Sequence, residues 1–125
     1  MKVADRIFAW LLAVASLLHA AGSWAMYKDR HETLLWALSA TLAGLLLASV
    51  NLLRAGRPRD RTLAWVSFAG CLGWLALVVG FGRLIGNLFD FRVQIQGGIA
   101  VVLALFSLRT ALAAGAAMLH AGKEA

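Results

Sequence analysis

The sequence predicts an all-α integral membrane protein: a bundle of four transmembrane helices in up-down order, with both termini cytoplasmic. Three observations carry that expectation. Hydrophobic residues fill 62% of the 125 positions and charged ones only 14%, where an ordinary soluble chain has about a quarter charged. A domain this small leaves too much surface exposed to water to hide so much apolar side chain. The apolar residues are also gathered into four runs, each near the ~20 helical residues that cross a bilayer core, with basic residues in the short breaks between them.

The first run covers residues 7–27. Lys2 and Arg6 before it resemble the basic region of a signal peptide. The run is longer than a signal core of about 7–15 residues, and no clear small-residue cleavage site comes after it, so it reads as a transmembrane helix. The second run, 33–53, lies beyond the polar stretch Lys28-Asp29-Arg30-His31-Glu32. The third, 62–82, comes after Arg54–Arg61, which holds the only proline, Pro58. The fourth, 93–108, comes after Arg83–Arg92 and leaves open a helical extension to residue 120. With no loop long enough to fold separately, the chain is a single transmembrane domain.

Basic residues in short loops favour the cytoplasm. Placing the N-terminus inside puts Lys2, Arg6, Arg54, Arg57, Arg59, Arg61, Arg109 and Lys123 on that side. The other side receives Lys28, Arg30, Arg83 and Arg92 among the acids Asp29, Glu32 and Asp90. The pentads RIFAW (6–10) and RTLAW (61–65) then read as two depth markers, each with an Arg among headgroups and a Trp one turn deeper. Few other positions match between the halves, so a duplication is not needed to explain them. A fourth helix starting at Val93 sets Arg109 about 24 Å further along, at the inner edge of the core. A span over 97–121 would set it near mid-membrane, which is costly for an Arg with no acidic partner.

Chemistry is sparse. Every acid (Asp5, Asp29, Glu32, Asp60, Asp90, Glu124) reads as lying in a loop or tail. An intramembrane carboxylate is what a proton-coupled cation antiporter commonly relies on, so that class is disfavoured. Ser16, His19 and Ser23 keep i, i+3, i+7 spacing and are expected to form one polar stripe on the first helix. Such a stripe serves either as interhelical hydrogen bonding or, with Asn51, as the lining of a pore. The single cysteine, Cys71, excludes an internal disulfide and reads as a small buried hydrophobe. His31 and His120 are not spaced with His19 as metal ligands, and no metal or other cofactor is expected.

Ala40, Gly44 and Ala48 give the second helix a small-residue face suited to close packing. In GRLIGNLFDFR (82–92), Arg83, Asn87 and Asp90 fall on one helical face, which suits a short interfacial helix steadied by an Arg83–Asp90 or Asp90–Arg92 pair; the segment reads equally as a docking surface or as a re-entry turn with satisfied charges. Arg54, Arg57, Arg59, Arg61 and Arg109 are candidate contacts for lipid headgroups. The net charge of +6 reads as membrane orientation rather than nucleic-acid binding.

No nucleophile with a spaced base, carboxylate pair or phosphate loop stands out. The expected function is therefore interaction, as an accessory, assembly or scaffolding subunit of a membrane complex. The expected partners are the lipid bilayer and a second copy or another membrane protein. The alternatives are a small homo-oligomeric transporter or channel with its pathway near His19, and a membrane enzyme or redox carrier. Richness in Ala, Leu and Arg points to a bacterial cytoplasmic membrane.

Overall fold

The computed structural model describes residues 2–121, with side chains over 3–115. Its order is α1 (Lys2–Tyr27), α2 (His31–Gly56), α3 (Arg61–Leu84) and α4 (Phe91–Ala121). All four helices are long and apolar enough to cross a membrane, which makes this an integral membrane protein built as a helix bundle. α1 starts at Lys2 rather than at residue 7, so Asp5 and Arg6 are helical and not part of a tail. α4 runs unbroken to Ala121, past the 93–108 run. Lys123 and Glu124 lie outside the described residues.

The turns are built from local chemistry. Between α1 and α2, the Arg30 N–H reaches the Tyr27 carbonyl at 2.8 Å. Between α2 and α3, the Asp60 N–H closes a turn onto the Arg57 carbonyl at 3.0 Å, with Pro58 in the position where its fixed φ suits such a turn. Asp60 then caps α3, its Oδ1 accepting from the Leu63 N–H at 2.9 Å.

The segment after α3 is not the amphipathic helix that Arg83, Asn87 and Asp90 predict. Gly86 takes φ +69°, the left-handed conformation that glycine tolerates best. The Asn87 N–H bonds the Gly82 carbonyl at 2.9 Å and the Gly86 N–H bonds that of Arg83 at 3.1 Å. This is a Schellman stop, which satisfies carbonyls that a longer helix would have used. Asn87 and Asp90 cap the chain beyond it, accepting from the N–H groups of Phe89 at 3.0 Å and Arg92 at 2.9 Å. Of the two expected pairs, Asp90–Arg92 forms, at 2.9 Å.

α1 packs along α2, and α3 along α4, as two hairpins. The hairpins meet more lightly through α1–α4 and α2–α3, with a small α2–α4 contact across the diagonal. The core that joins them is rich in small residues: Ala9, Ala13, Ala48 and Ala104 alternate with Leu12 and Leu103. In lipid, packing must come from van der Waals contact and hydrogen bonds because apolar burial gives no advantage over the acyl chains. Small side chains let backbones approach.

Gly44 shows how close that approach is. A Cβ placed there would overlap Ser16 Oγ on α1 and lie 3.0 Å from Trp74 Cη2 on α3. Gly22, by contrast, has open space. Gly44→Val is expected to destabilise the bundle by about 1–3 kcal/mol through overpacking. Gly22→Ala should leave it unchanged or gain up to about 1 kcal/mol of helix propensity. Reversible unfolding in mixed micelles distinguishes the two.

Candidate functional site

The densest chemistry lies where α1 begins, α2 ends and α3 begins. Arg54 is 0% exposed, and its guanidinium forks onto the Asp5 carboxylate. One arm is Nη1 to Oδ2 at 2.9 Å, and the other is Nη2 to Oδ1. Nη1 also donates to Thr110 Oγ1 on α4 at 3.2 Å, and Nη2 to Asn51 Oδ1, one turn back on α2, at 3.2 Å. An Arg can only donate, so it orients the Asn51 amide with oxygen toward itself and nitrogen away. The Asn51 Nδ2 accordingly donates to the Leu47 carbonyl at 3.0 Å and approaches Cys71 Sγ at 3.6 Å.

Asn51 Oδ1 is shared further. Ser67 Oγ on α3 donates to it at 2.9 Å and stands 2.9 Å from Ser107 Oγ on α4. Ser107 is also 2.7 Å from the Leu103 carbonyl. The two hydroxyls thus distribute two protons among Asn51 Oδ1, the Leu103 carbonyl and each other. Side chains from all four helices enter one connected network. Its members Asn51, Arg54, Ser67 and Ser107 are all 0% exposed.

Two expectations are corrected here. Arg54 is not a headgroup contact, because it is sealed inside the bundle. Asp5 is not a tail residue, because it lies within α1 and supplies a buried Arg with its counter-charge. A desolvated Arg persists only when paired and hydrogen-bonded, and the helical start at Lys2 brings Asp5 onto the inward face with Ala9, Leu12 and Ser16. That spacing (5, 9, 12, 16), together with Asn51 and Arg54 one turn apart, is the signal that could have found the pair. Cutting the helix at its first apolar residue hides it.

Arg57, Arg59, Arg61 and Arg109 are exposed. Arg61 crosses toward α4, where its guanidinium carbon lies 3.4 Å from the place a Cβ would take on Gly115. Ser16 and Ser23 are buried, but His19 is exposed, so the three do not form one stripe. At 100° per residue His19 sits beyond the edge of the buried face. Ser16 satisfies its hydroxyl on its own helix, donating to the Leu12 carbonyl at 2.8 Å. Arg83, Asn87 and Arg92 are exposed around the α3–α4 turn. Arg92 also stacks over Phe81, its guanidinium carbon 5.5 Å from the ring centre. Its hydrogen bonds hold the Asp90 carboxyl below the ordinary carboxylate value. Among the described residues, no group of three or more His, Cys, Asp or Glu is placed to hold a metal.

Fold and site together define a small polytopic α-helical membrane protein with a buried, four-helix ion-pair network. No family model, curated protein or solved structure matches the chain.

Asp5→Ala leaves Arg54 buried without its counter-charge and is expected to cost about 3–5 kcal/mol. Replacing both partners, Asp5→Leu with Arg54→Met, should recover most of that loss in the same unfolding assay. At the α3–α4 turn, Asp90 with its lowered pKa contributes stability that is present above the ordinary carboxylate value and lost as pH falls through its own. The stability difference between wild type and Asp90→Asn should therefore be constant near neutral pH and shrink in acid.

Proposed function

We propose that this chain acts by interaction, as an accessory, assembly or scaffolding subunit of a membrane complex. In this reading it is an up-down bundle with both termini cytoplasmic, in a bacterial-type inner membrane. The exposed arginines at the Asp5–Arg54 end support that orientation, since basic residues collect on the cytoplasmic side. The observation that carries the reading is the contrast between the network and His19. The buried polar groups are turned inward onto one another, which makes the bundle a fixed body. His19 stands outside that network, exposed just past the edge of the buried face of α1.

His19 lies one turn past the middle of the α1 span, exposed on the bundle surface, and no described side chain bonds it. Ionisable residues at such depth normally face protein or water rather than lipid. Gly22, one turn on, leaves open space beside it, and small residues of that kind admit a second helix. A neighbouring transmembrane segment that accepts or donates a hydrogen bond at His19 resolves the exposed imidazole. The transporter or channel reading keeps one supporting observation, the same exposed His19. Its pathway would have to run between copies rather than through one bundle.

Purification in mild detergent with a mass measurement separates the two. Co-purification in a larger complex of unlike subunits supports the accessory role. A symmetric homo-oligomer that passes ions in vesicles supports the transporter. In the accessory case, His19→Leu should leave the unfolding midpoint unchanged and weaken the complex by about threefold, the size of an average interhelical hydrogen bond. An unchanged complex overturns the assignment of His19 to the interface.

A further inference from the structure

The hairpins meet at one level. Asn51 Oδ1 on α2 takes the hydroxyls of Ser67 and Ser107, and Arg54 Nη1 donates to Thr110. The Asp5–Arg54 pair itself lies within the first hairpin, so the bonds that cross between hairpins are those of Asn51 and Thr110. Beside them Phe8 of α1 meets Phe106 of α4 edge-on, with 6.3 Å between ring centres. On the other flank a Cβ on Gly70 of α3 would lie 2.8 Å from Leu47 Cδ1 of α2.

Three turns away the same faces are bare. A step of about eleven residues returns a helix to nearly the same face. His19 stands that far beyond Phe8, and Ile95 that far before Phe106; both are exposed. Trp36 and Phe81 stand in the same relation to Leu47 and Gly70, and both are exposed. The faces that join the hairpins near the network therefore part further along. Packing within the second hairpin continues: a Cβ on Gly97 would lie 3.7 Å from Leu75 Cδ1, and Trp74 Nε1 donates to Gln96 at 3.4 Å. On the first hairpin Ser23, Leu34 and Thr41 stay buried.

From this splay we propose that the Asn51 network is a pivot about which the two hairpins rock, widening and narrowing the far end of the bundle. The network holds the helices in height but not in tilt, since hydroxyl and amide bonds tolerate a small rotation. Acyl chains replace side-chain contacts at the far end with little loss, because lipid is as apolar as leucine. Each hairpin moves as a unit, one closed by the Arg30 N–H on Tyr27 and the other by the Gly86 stop. About 20 residues of α2 separate Asn51 from the far turn, so a rock of about 10° moves that turn by about 5 Å. The ion pair stays whole, while the room beside His19 changes. The pivot concerns the two hairpins alone and does not depend on the accessory role.

Spin-label distances measured by pulsed electron paramagnetic resonance, on the full-length chain in lipid nanodiscs, test it. The background is Cys71→Ser, which keeps an acceptor for the Asn51 amide. Ala25→Cys with Leu84→Cys spans the hairpins at the far end, and Val3→Cys with Leu112→Cys spans them at the network end; all four positions are exposed. The far pair is expected to give a distribution wider by about 5 Å than the network pair. Ser67→Ala with Ser107→Ala removes two bonds of the pivot and leaves the ion pair intact, so it should broaden the network pair. Unfolding midpoints confirm that each variant is folded. Equally narrow distributions at both ends make the splay rigid and overturn the rocking. Equal breadth at both ends, or a network pair unchanged in the folded serine variant, overturns the network as the pivot.

Discussion

The arrangement of this bundle depends on one constraint: an arginine near the end of α2 has been taken out of both water and lipid. Arg54 has no solvent exposure, and a buried guanidinium needs a counter-charge and acceptors for its donors. Asp5 supplies the charge from α1, Asn51 an oxygen from α2 itself, and Thr110 a hydroxyl from α4. α3 enters through Ser67 on the same Asn51 oxygen. The network therefore fixes the relative height of all four helices at that end. Apolar packing among alanines and leucines permits sliding, because each contact resembles the next. A bidentate ion pair permits very little.

Membrane composition, the four spans and their order along the chain were legible from hydrophobic runs alone. The site was not, and the reason is physical. A hydropathy window registers where a helix becomes apolar, whereas the backbone continues to hydrogen-bond beyond that boundary. Asp5 stands just outside the apolar run, yet it lies inside the helix that begins at Lys2. The same blindness assigned Arg54 to the headgroups. Charge bias in a short loop is a statement about an average over neighbours, and here Arg57, Arg59 and Arg61 are exposed while Arg54 is buried. The interfacial helix over 83–90 failed for a different reason. Its one-face spacing was real, but Gly86 supplies a left-handed residue, and Asn87 and Asp90 are better caps than helix interiors.

The two hairpins repeat residues without repeating the arrangement. Ala9 and Ala64, the alanines of the two pentads, are both fully buried, as are Ser16 and Cys71 at matching positions further along. Asp60 precedes Arg61 just as Asp5 precedes Arg6, and Arg109 answers Arg54. Yet Asp60 caps α3 in the turn after Pro58, and Arg109 is exposed. The difference lies in what precedes each acid. α1 has helix before Asp5, so its carboxylate projects from a formed turn toward α2. Asp60 begins its helix and closes the loop from α2, so its carboxylate is committed to the backbone.

This asymmetry also divides the bundle along its length. The core that joins the hairpins gathers near the network, up to the contact of Gly44 with Ser16 and Trp74. Towards the other end the buried residues are Ser23, Leu34, Thr41, Val78, Gly82 and Val93. There Gly82 and Val93 pack within one hairpin, and the α3–α4 turn is held by the Schellman stop and Asp90. One end is thus tied across all four helices by an ion pair and its hydrogen bonds, while the other relies on local turns. His19 lies on the locally held half. A partner helix docking there would bear on the part of the bundle with the fewest cross-hairpin constraints, leaving the ion pair undisturbed. Binding at His19 and stability at Asp5–Arg54 are then separable properties, because little shared packing connects them.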